Sequence, residues 1–131
     1  DRRTGTLAIG HVVLPGPEPS GASIDKPAYY AVPGVETLLR TLGAVAGSPP
    51  VYDIALIGGA VALDGLTDFD IGRRNLVAVR RALFQRGLIA HVEQVGGTVS
   101  RTVAVVVGAP TVQIRASDGV RQSLPFTVGS P

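Results

Sequence analysis

The sequence predicts an α+β fold, a layered α/β sandwich with a mixed β-sheet and two main helices. Two helical patterns, at residues 31–42 and 73–86, alternate with short runs rich in β-branched residues that glycine and proline bound. The predicted order is β-α-β-α-β-β-β. A chain of 131 residues fits one domain with a single hydrophobic core.

The composition excludes several classes of function. The chain contains no Cys, so these residues hold no disulfide, no thiolate metal site and no cysteine nucleophile. Its two histidines, His11 and His91, are too few for a usual zinc site, and we expect no metal and no cofactor. A net charge of +2 gives no general electrostatic case for nucleic acid.

Hydropathy predicts a protein that does not insert into a membrane, and the expected location is the cytoplasm. No apolar run approaches the roughly 20 residues that a membrane-spanning helix needs. The first residues, Asp-Arg-Arg-Thr-Gly-Thr, lack the apolar region of a secretion signal.

The start of the sequence predicts an upstream segment. Residues 7–14 form an apolar run that predicts a strand, ended by Pro15-Gly16-Pro17. The charged residues and Thr-Gly pair before it resemble the second half of a hairpin turn, and the sequence does not begin with Met. We therefore expect a partner strand before Asp1. The chain is then one domain, 1–131, that lacks its N-terminal strands, with a core at 1–116 and a C-terminal extension at 117–131.

The first helix and the strand after it follow from apolar spacing. Four apolar residues recur at helical spacing within 31–42, and proline is tolerated in a first turn: Val35, Leu38, Leu39 and Leu42, with Pro33. Residues 51–57 suit a buried strand that ends at Gly58-Gly59. Without side chains these two glycines permit close approach of a substrate, although a tight turn explains them equally well. No Gly-Lys-Ser/Thr follows, so they are not a phosphate loop of that type.

The second helix has the clearest signals. Residues 73–86 contain no Pro or Gly, and Leu76, Val79 and Leu83 share one face. Asp68 or Asp70 is expected to cap its N-terminus, and Gly87 to end it. Four arginines lie off the apolar stripe, where we expect a solvated face: Arg73, Arg74, Arg80 and Arg81.

The remaining residues predict short strands separated by turns. Residues 88–95 suit a strand stopped by Gly96-Gly97, and 102–107 and 111–115 suit a hairpin around Gly108. Residues 120–131 form either an edge strand or a loosely held tail.

Several polar residues in these segments are candidates for the site. Asn75 is expected to anchor a turn by side-chain-to-backbone hydrogen bonds, and His91 to project from a strand surface. Thr98 and Ser100 place hydroxyl groups beside the Gly-Gly turn and are candidates to line a site; neither is assigned as a nucleophile. A lone histidine such as His11 is more often structural than catalytic.

Three blocks, in order, resemble the CheD family, the chemoreceptor glutamine deamidases of bacterial and archaeal chemotaxis. They are His11-Val-Val-Leu-Pro15-Gly16, then Ile57-Gly58-Gly59-Ala60, then Ile71-Gly72-Arg73-Arg74-Asn75 with Val95-Gly96-Gly97-Thr98. The resemblance covers roughly residues 7–116. Ser100-Arg101 replaces a Gly-Arg common in the family.

The resemblance implies the cysteine-hydrolase fold that CheD shares with deamidating toxins. It also implies hydrolysis of glutamine side chains in methyl-accepting chemotaxis proteins to glutamate, by a Cys nucleophile, a His base and a Thr. Only His11 carries over as catalytic, because the Cys and Thr would precede Asp1. Gly58, Gly59 and Thr98 are the expected substrate-binding residues.

The implied partners are chemotaxis receptors and a CheC-type phosphatase. Because a chain without Cys cannot run this chemistry alone, an alternative is a non-catalytic CheD-like binding module for that phosphatase or for receptor helices. A weaker alternative is nucleotide binding at Gly58-Gly59, with Arg73 or Arg74 as the phosphate contact.

Overall fold

A computed structural model describes residues 1–16, 29–43, 51–61, 70–109 and 111–126. These ranges hold two helices, α1 (Ala31–Leu42) and α2 (Ile71–Phe84). The strands are β1 (Ala55–Gly58), β2 (Val92–Val95), β3 (Arg101–Val105), β4 (Thr111–Ala116) and β5 (Arg121–Pro125). The predicted α+β class is confirmed.

The strands form one parallel pair and one antiparallel sheet. β1 pairs with β2 in parallel, with Ala55 opposite Val92 and Gly58 opposite Val95. β3, β4 and β5 form an antiparallel meander in that order. The predicted hairpin around Gly108 is confirmed as β3–β4, and the chain after it adds β5 as an edge strand; residues 127–131 lie outside the described ranges.

Strand β1 and the residue before it separate two apolar clusters. Ile54 and Leu56 pack against the cluster of α1 and α2, formed by Val35, Ala82 and Leu83. Ala55 and Ile57 pack against the other cluster, formed by Val92, Val112 and Ile114. This alternation is the period of a strand with two packed faces. It places the helices on one side of β1 and the antiparallel sheet on the other, as a layered sandwich.

The sequence located both helices well. The bounds of α1 match the predicted range, and α2 begins at Ile71, slightly before the predicted start. The apolar stripe of α2 faces inward at Val79 and Leu83, and its arginines are exposed as expected. After α2, Gly87 has φ +70 and the Leu88 amide donates to the Leu83 carbonyl at 3.0 Å, the expected glycine-terminated helix end.

The side-chain cap predicted at Asp70 is wrong. Asp70 is the residue before α2, but its φ of 45 and ψ of 52 are left-handed and its side chain makes no capping hydrogen bond. A capping side chain requires an extended backbone at that residue, from which its oxygen reaches the free amides of the first turn. The other candidate, Asp68, lies outside the described residues.

The strand predicted at residues 7–14 does not form as a paired strand within the described chain. Only Leu14 pairs, in an isolated parallel bridge with Tyr30. A strand is defined by its hydrogen-bonded neighbour, and the described chain brings no such neighbour to residues 7–12. Within the segment 7–13, which carries His11, residues 7–12 instead line a cavity.

Candidate functional site

A cavity of about 300 Å³ lies between the segment carrying His11, the two helices and β1. His11, Gly58 and Gly59 all line it, so the structure brings together three of the four residues predicted for the site. Most of its wall is apolar. The apolar side chains come from both clusters and include Val35, Leu39, Val79, Leu83, Val103 and Val112.

Within the His11 segment, backbone hydrogen bonds from the described residues reach only the C-terminal end. The amides of Val13 and Leu14 donate to the Tyr29 carbonyl at 3.0 and 2.9 Å, and the Ala31 amide donates to the Leu14 carbonyl at 3.1 Å. Within the described residues, His11 itself is exposed and makes no hydrogen bond. Its imidazole therefore stands at the cavity edge, just before the first anchored residue.

The Gly58-Gly59 turn forms another part of the cavity wall. Their φ angles of 118 and 66 are positive, a region that side chains disfavour, so this turn requires glycine. The Gly96 amide donates to the Gly58 carbonyl at 2.9 Å, which ties the ends of β1 and β2 together. The turn is thus a tight strand exit that also forms part of the cavity wall. Close approach of a substrate to these glycines stays a prediction.

Arg101 fastens this turn, a role that the sequence did not reveal. Its Nη1 donates to the carbonyl oxygens of Gly58 at 3.3 Å and Gly96 at 3.0 Å. Charge-assisted bonds to two carbonyls hold both strand ends at once. One feature of the sequence could have indicated this role. Ser100-Arg101 stands where a Gly-Arg pair is common in the family, so the arginine is kept although the glycine is replaced.

Asn75 connects α2 to the His11 segment. Its Nδ2 donates to the Val13 carbonyl at 2.9 Å, across 62 residues of sequence. The expected side-chain-to-backbone hydrogen bond is present, although it spans two elements and does not close a local turn. The Asn75 Oδ1 is buried and has no hydrogen-bond partner in the described ranges. Asn75 also lines the cavity.

The other polar candidates lie away from the cavity. Thr98 is exposed on the turn after β2 and does not line it, and the Ser100 amide donates to the Ser117 Oγ at 3.2 Å. His91 is exposed as predicted, and its Nδ1 accepts a hydrogen bond from the Ile54 amide at 3.3 Å. His91 therefore helps to begin the pairing of β1 with β2.

An ion pair lies at the end of the cavity remote from Gly59. Arg2 Nη2 is 2.7 Å from the Asp53 carboxylate, and Asp53 lines the cavity. The hydrogen bond from Arg2 lowers the pKa of Asp53 below its ordinary value, because it stabilises the charged carboxylate. The described residues contain no cluster of ligands able to hold a metal ion, and no helix among them is long and apolar enough to cross a membrane.

The protein-family model described as CheD chemotactic sensory transduction matches residues 13–116 of this chain. The chain belongs to the CheD family. The matched range includes the Gly58-Gly59 turn, Asn75 and Arg101, and it begins just after His11.

Curated relatives agree with this assignment. The chain is 33% identical over 108 residues to the probable chemoreceptor glutamine deamidase CheD of Syntrophotalea carbinolica, covering 79% of this chain and 66% of that protein. It is 30% identical over 115 residues to the chemoreceptor glutamine deamidase CheD of Thermotoga maritima, covering 88% and 71%. A Solibacter usitatus relative with the same probable name is 37% identical over 68 residues, 52% of this chain and 40% of that protein. The chain thus spans two thirds or less of the first and last of these relatives.

Proposed function

We propose that this protein is a chemoreceptor glutamine deamidase in which His11 acts as the general acid and base. The observation that carries the proposal is that His11 and the Gly58-Gly59 turn line one cavity in a chain of the CheD family. A histidine at the rim of such a cavity is able to take and to give a proton, as general acid-base catalysis requires.

The proposed chemistry needs a thiol from outside residues 1–131, since these residues contain no Cys. The cysteine thiolate attacks the carbon of the glutamine amide, and the C–N bond breaks to release ammonia and leave a thioester. Water then hydrolyses the thioester, which yields glutamate and restores the thiol. The net change is one amide plus one water to one carboxylic acid plus ammonia.

His11 acts in both steps of this reaction, thioester formation and thioester hydrolysis. Its neutral imidazole takes the thiol proton, which raises the fraction of reactive thiolate, and the resulting imidazolium gives a proton to the leaving nitrogen. In the second half it takes a proton from the attacking water. The exposure of His11 leaves the imidazole accessible to both the thiol and the substrate.

The glycine turn is the proposed contact for the substrate side chain. Gly58 and Gly59 present backbone alone to the cavity, so a glutamine side chain is able to approach closely. Thr98 is proposed as a further contact from the neighbouring exposed turn, although it does not line the cavity.

The proposed partners follow from the same activity. The substrates are glutamines of methyl-accepting chemotaxis receptors, and their cytoplasmic helices place the enzyme in the cytoplasm. A CheC-type phosphatase is a second proposed partner. A pull-down of the full gene product with each purified partner tests these two contacts separately, and no retention at micromolar concentration would count against that partner.

Mass spectrometry of a receptor cytoplasmic fragment tests the activity. The full gene product should convert specific glutamines to glutamates, and thiol alkylation should abolish the reaction. His11→Ala should slow it about 100-fold or more, because a positioned acid-base group contributes at least that much. His91→Gln, away from the cavity, is the matched control. The proposal is wrong if the full gene product leaves the fragment unchanged, or if His11→Ala reacts as fast as the wild type.

A further inference from the structure

We propose that Asn75 is a positioning residue that sets the place of His11 relative to the Gly58-Gly59 turn. Its catalytic consequence rests on the proposed deamidase function, but its effect on the imidazole does not. The hydrogen bond from Asn75 Nδ2 to the Val13 carbonyl joins the helix that borders the cavity to the segment that carries His11.

The position of this hydrogen bond, two residues from His11, allows it to affect the direction of the backbone at His11. Backbone hydrogen bonds to residues 29–31 fix Val13 and Leu14 from one side, and Asn75 fixes Val13 from the other. No backbone hydrogen bond reaches residues 10–12 from the described part of the chain. Val13 is therefore the hydrogen-bonded residue nearest to His11 along the segment, with its amide held by Tyr29 and its carbonyl by Asn75. The two bonds together set the direction in which residues 10–12 leave Val13.

The same turn of α2 also contacts the Gly58-Gly59 turn. Gly72 precedes Asn75 by three positions, so the two lie on neighbouring parts of one helix face. A Cβ atom built on Gly72 would lie 2.5 Å from the Ala60 carbonyl oxygen and 2.6 Å from the Gly59 carbonyl carbon. Helix backbone thus touches the glycine turn directly. One turn of α2 therefore contacts both parts of the cavity wall. Gly72 packs against the glycine turn, and Asn75 donates a hydrogen bond to the His11 segment.

The side-chain oxygen of Asn75 lacks a hydrogen-bond partner, which argues that Asn75 does more than stabilise the fold. Asn75 Oδ1 is buried without a hydrogen-bond partner in the described residues, which is unfavourable. An apolar side chain of similar size would avoid that cost but would not hold the Val13 carbonyl. Local costs of this kind concentrate at functional sites, where a specific geometry is worth more than stability.

The ring signals of His11 and His91 allow a direct test by NMR. In the full gene product, these signals are assigned with His11→Gln and His91→Gln, respectively, and followed across pH. Asn75→Ala and Asn75→Asp both remove the donor, and we expect either change to shift or broaden the His11 signals while leaving the His91 signals in place. Gln85→Ala, which truncates an exposed amide just beyond the other end of α2, should change neither.

Kinetics on the same variants separate positioning from binding. We expect kcat for deamidation to fall about 10-fold to 100-fold with KM changed less than about twofold, because misplacement of a reacting group by about 1 Å costs on that order. Altered His11 signals in a protein with no deamidase activity would support the positioning role while contradicting the proposed function. The inference is overturned if both variants fold and keep the wild-type His11 signals, or if neither folds, since Asn75 would then be a requirement of folding alone.

Discussion

The antiparallel sheet and the candidate site are held together in different ways. In the sheet, β4 pairs with β3 over residues 112–116 and with β5 over residues 111–115. Val112 and Ile114 are 1% and 4% exposed. Around the site, the walls meet across a cavity of about 300 Å³ and are connected by a few polar bonds. Those bonds come from Asn75 and Arg101.

This difference indicates which substitutions each region should be sensitive to. Removing apolar volume from the sheet leaves a void among close-packed neighbours, so its stability depends on side-chain shape. The site already borders a void, so its geometry depends on individual donors. A mutation in the sheet should mainly lower the free energy of unfolding of the whole domain, whereas one in the site should lower it less and should also change local order.

The largest expected effect is in the sheet. Ile114→Ala should lower the free energy of unfolding by about 2–5 kcal/mol, because it removes buried volume beside Val112. Val107→Ala is the matched control, since Val107 is 73% exposed and its truncation should change stability by less than about 0.5 kcal/mol. Urea unfolding followed by circular dichroism measures both. Equal losses in the two variants would contradict a packed core at Ile114.

The same contrast explains what the sequence predicted. The sheet is built from contacts between neighbours in sequence, so turn residues and β-branched runs located β3, β4 and their hairpin. The helix α1 followed from spacing alone. In each case the pattern and the structure that it predicts occupy the same stretch of chain.

The site depends on contacts that no local pattern encodes. The apolar run at residues 7–14 predicted a strand, but a paired strand also needs a neighbour, and only Leu14 finds one among the described residues. Asp70 suits a helix cap by residue type, yet its left-handed backbone directs the side chain elsewhere. Arg101 was missed because the two carbonyls that it binds lie in separate turns. His11 was recognised through the family pattern and not through its own surroundings.

A smaller effect is expected where Arg101 holds the glycine turns. Arg101→Ala removes charge-assisted hydrogen bonds to Gly58 and Gly96, so stability should fall by about 1.5–3 kcal/mol. The Gly96 amide, which donates to Gly58, should also exchange its hydrogen faster. Hydrogen exchange followed by NMR measures this local change.

The control for Arg101 lies in the same antiparallel sheet. Arg115 is exposed, so Arg115→Ala should leave both stability and Gly96 exchange nearly unchanged. Arg101→Lys keeps the positive charge and a donor nitrogen but loses the planar guanidinium group that positions the donor, and we expect an intermediate result. If Arg101→Ala leaves the exchange of Gly96 as in the wild type, the turn is held by the strand pairing alone and the contrast with the sheet weakens.

The smallest effect is expected at the ion pair of Arg2 and Asp53, where the cavity wall reaches solvent. The hydrogen bond from Arg2 lowers the pKa of Asp53 in the folded protein. A carboxyl with a lowered folded pKa stabilises the fold above its unfolded pKa, which is about 3.9, and loses that contribution as the pH falls through the folded pKa. Arg2→Gln should therefore be slightly less stable than the wild type at pH 7. The two stabilities should converge as the pH falls from about 4 through the lowered folded pKa, where Asp53 becomes protonated.

Thermal unfolding of both proteins across this pH range measures the difference, and high salt should reduce it at pH 7 because the pair is partly exposed. Asp53→Asn serves as the second arm, since Arg2→Gln should cost nothing further once the carboxylate is gone. A stability gap that persists unchanged to low pH would mean that Arg2 acts through packing. This part of the cavity wall would then be stabilised by side-chain packing, as the antiparallel sheet is.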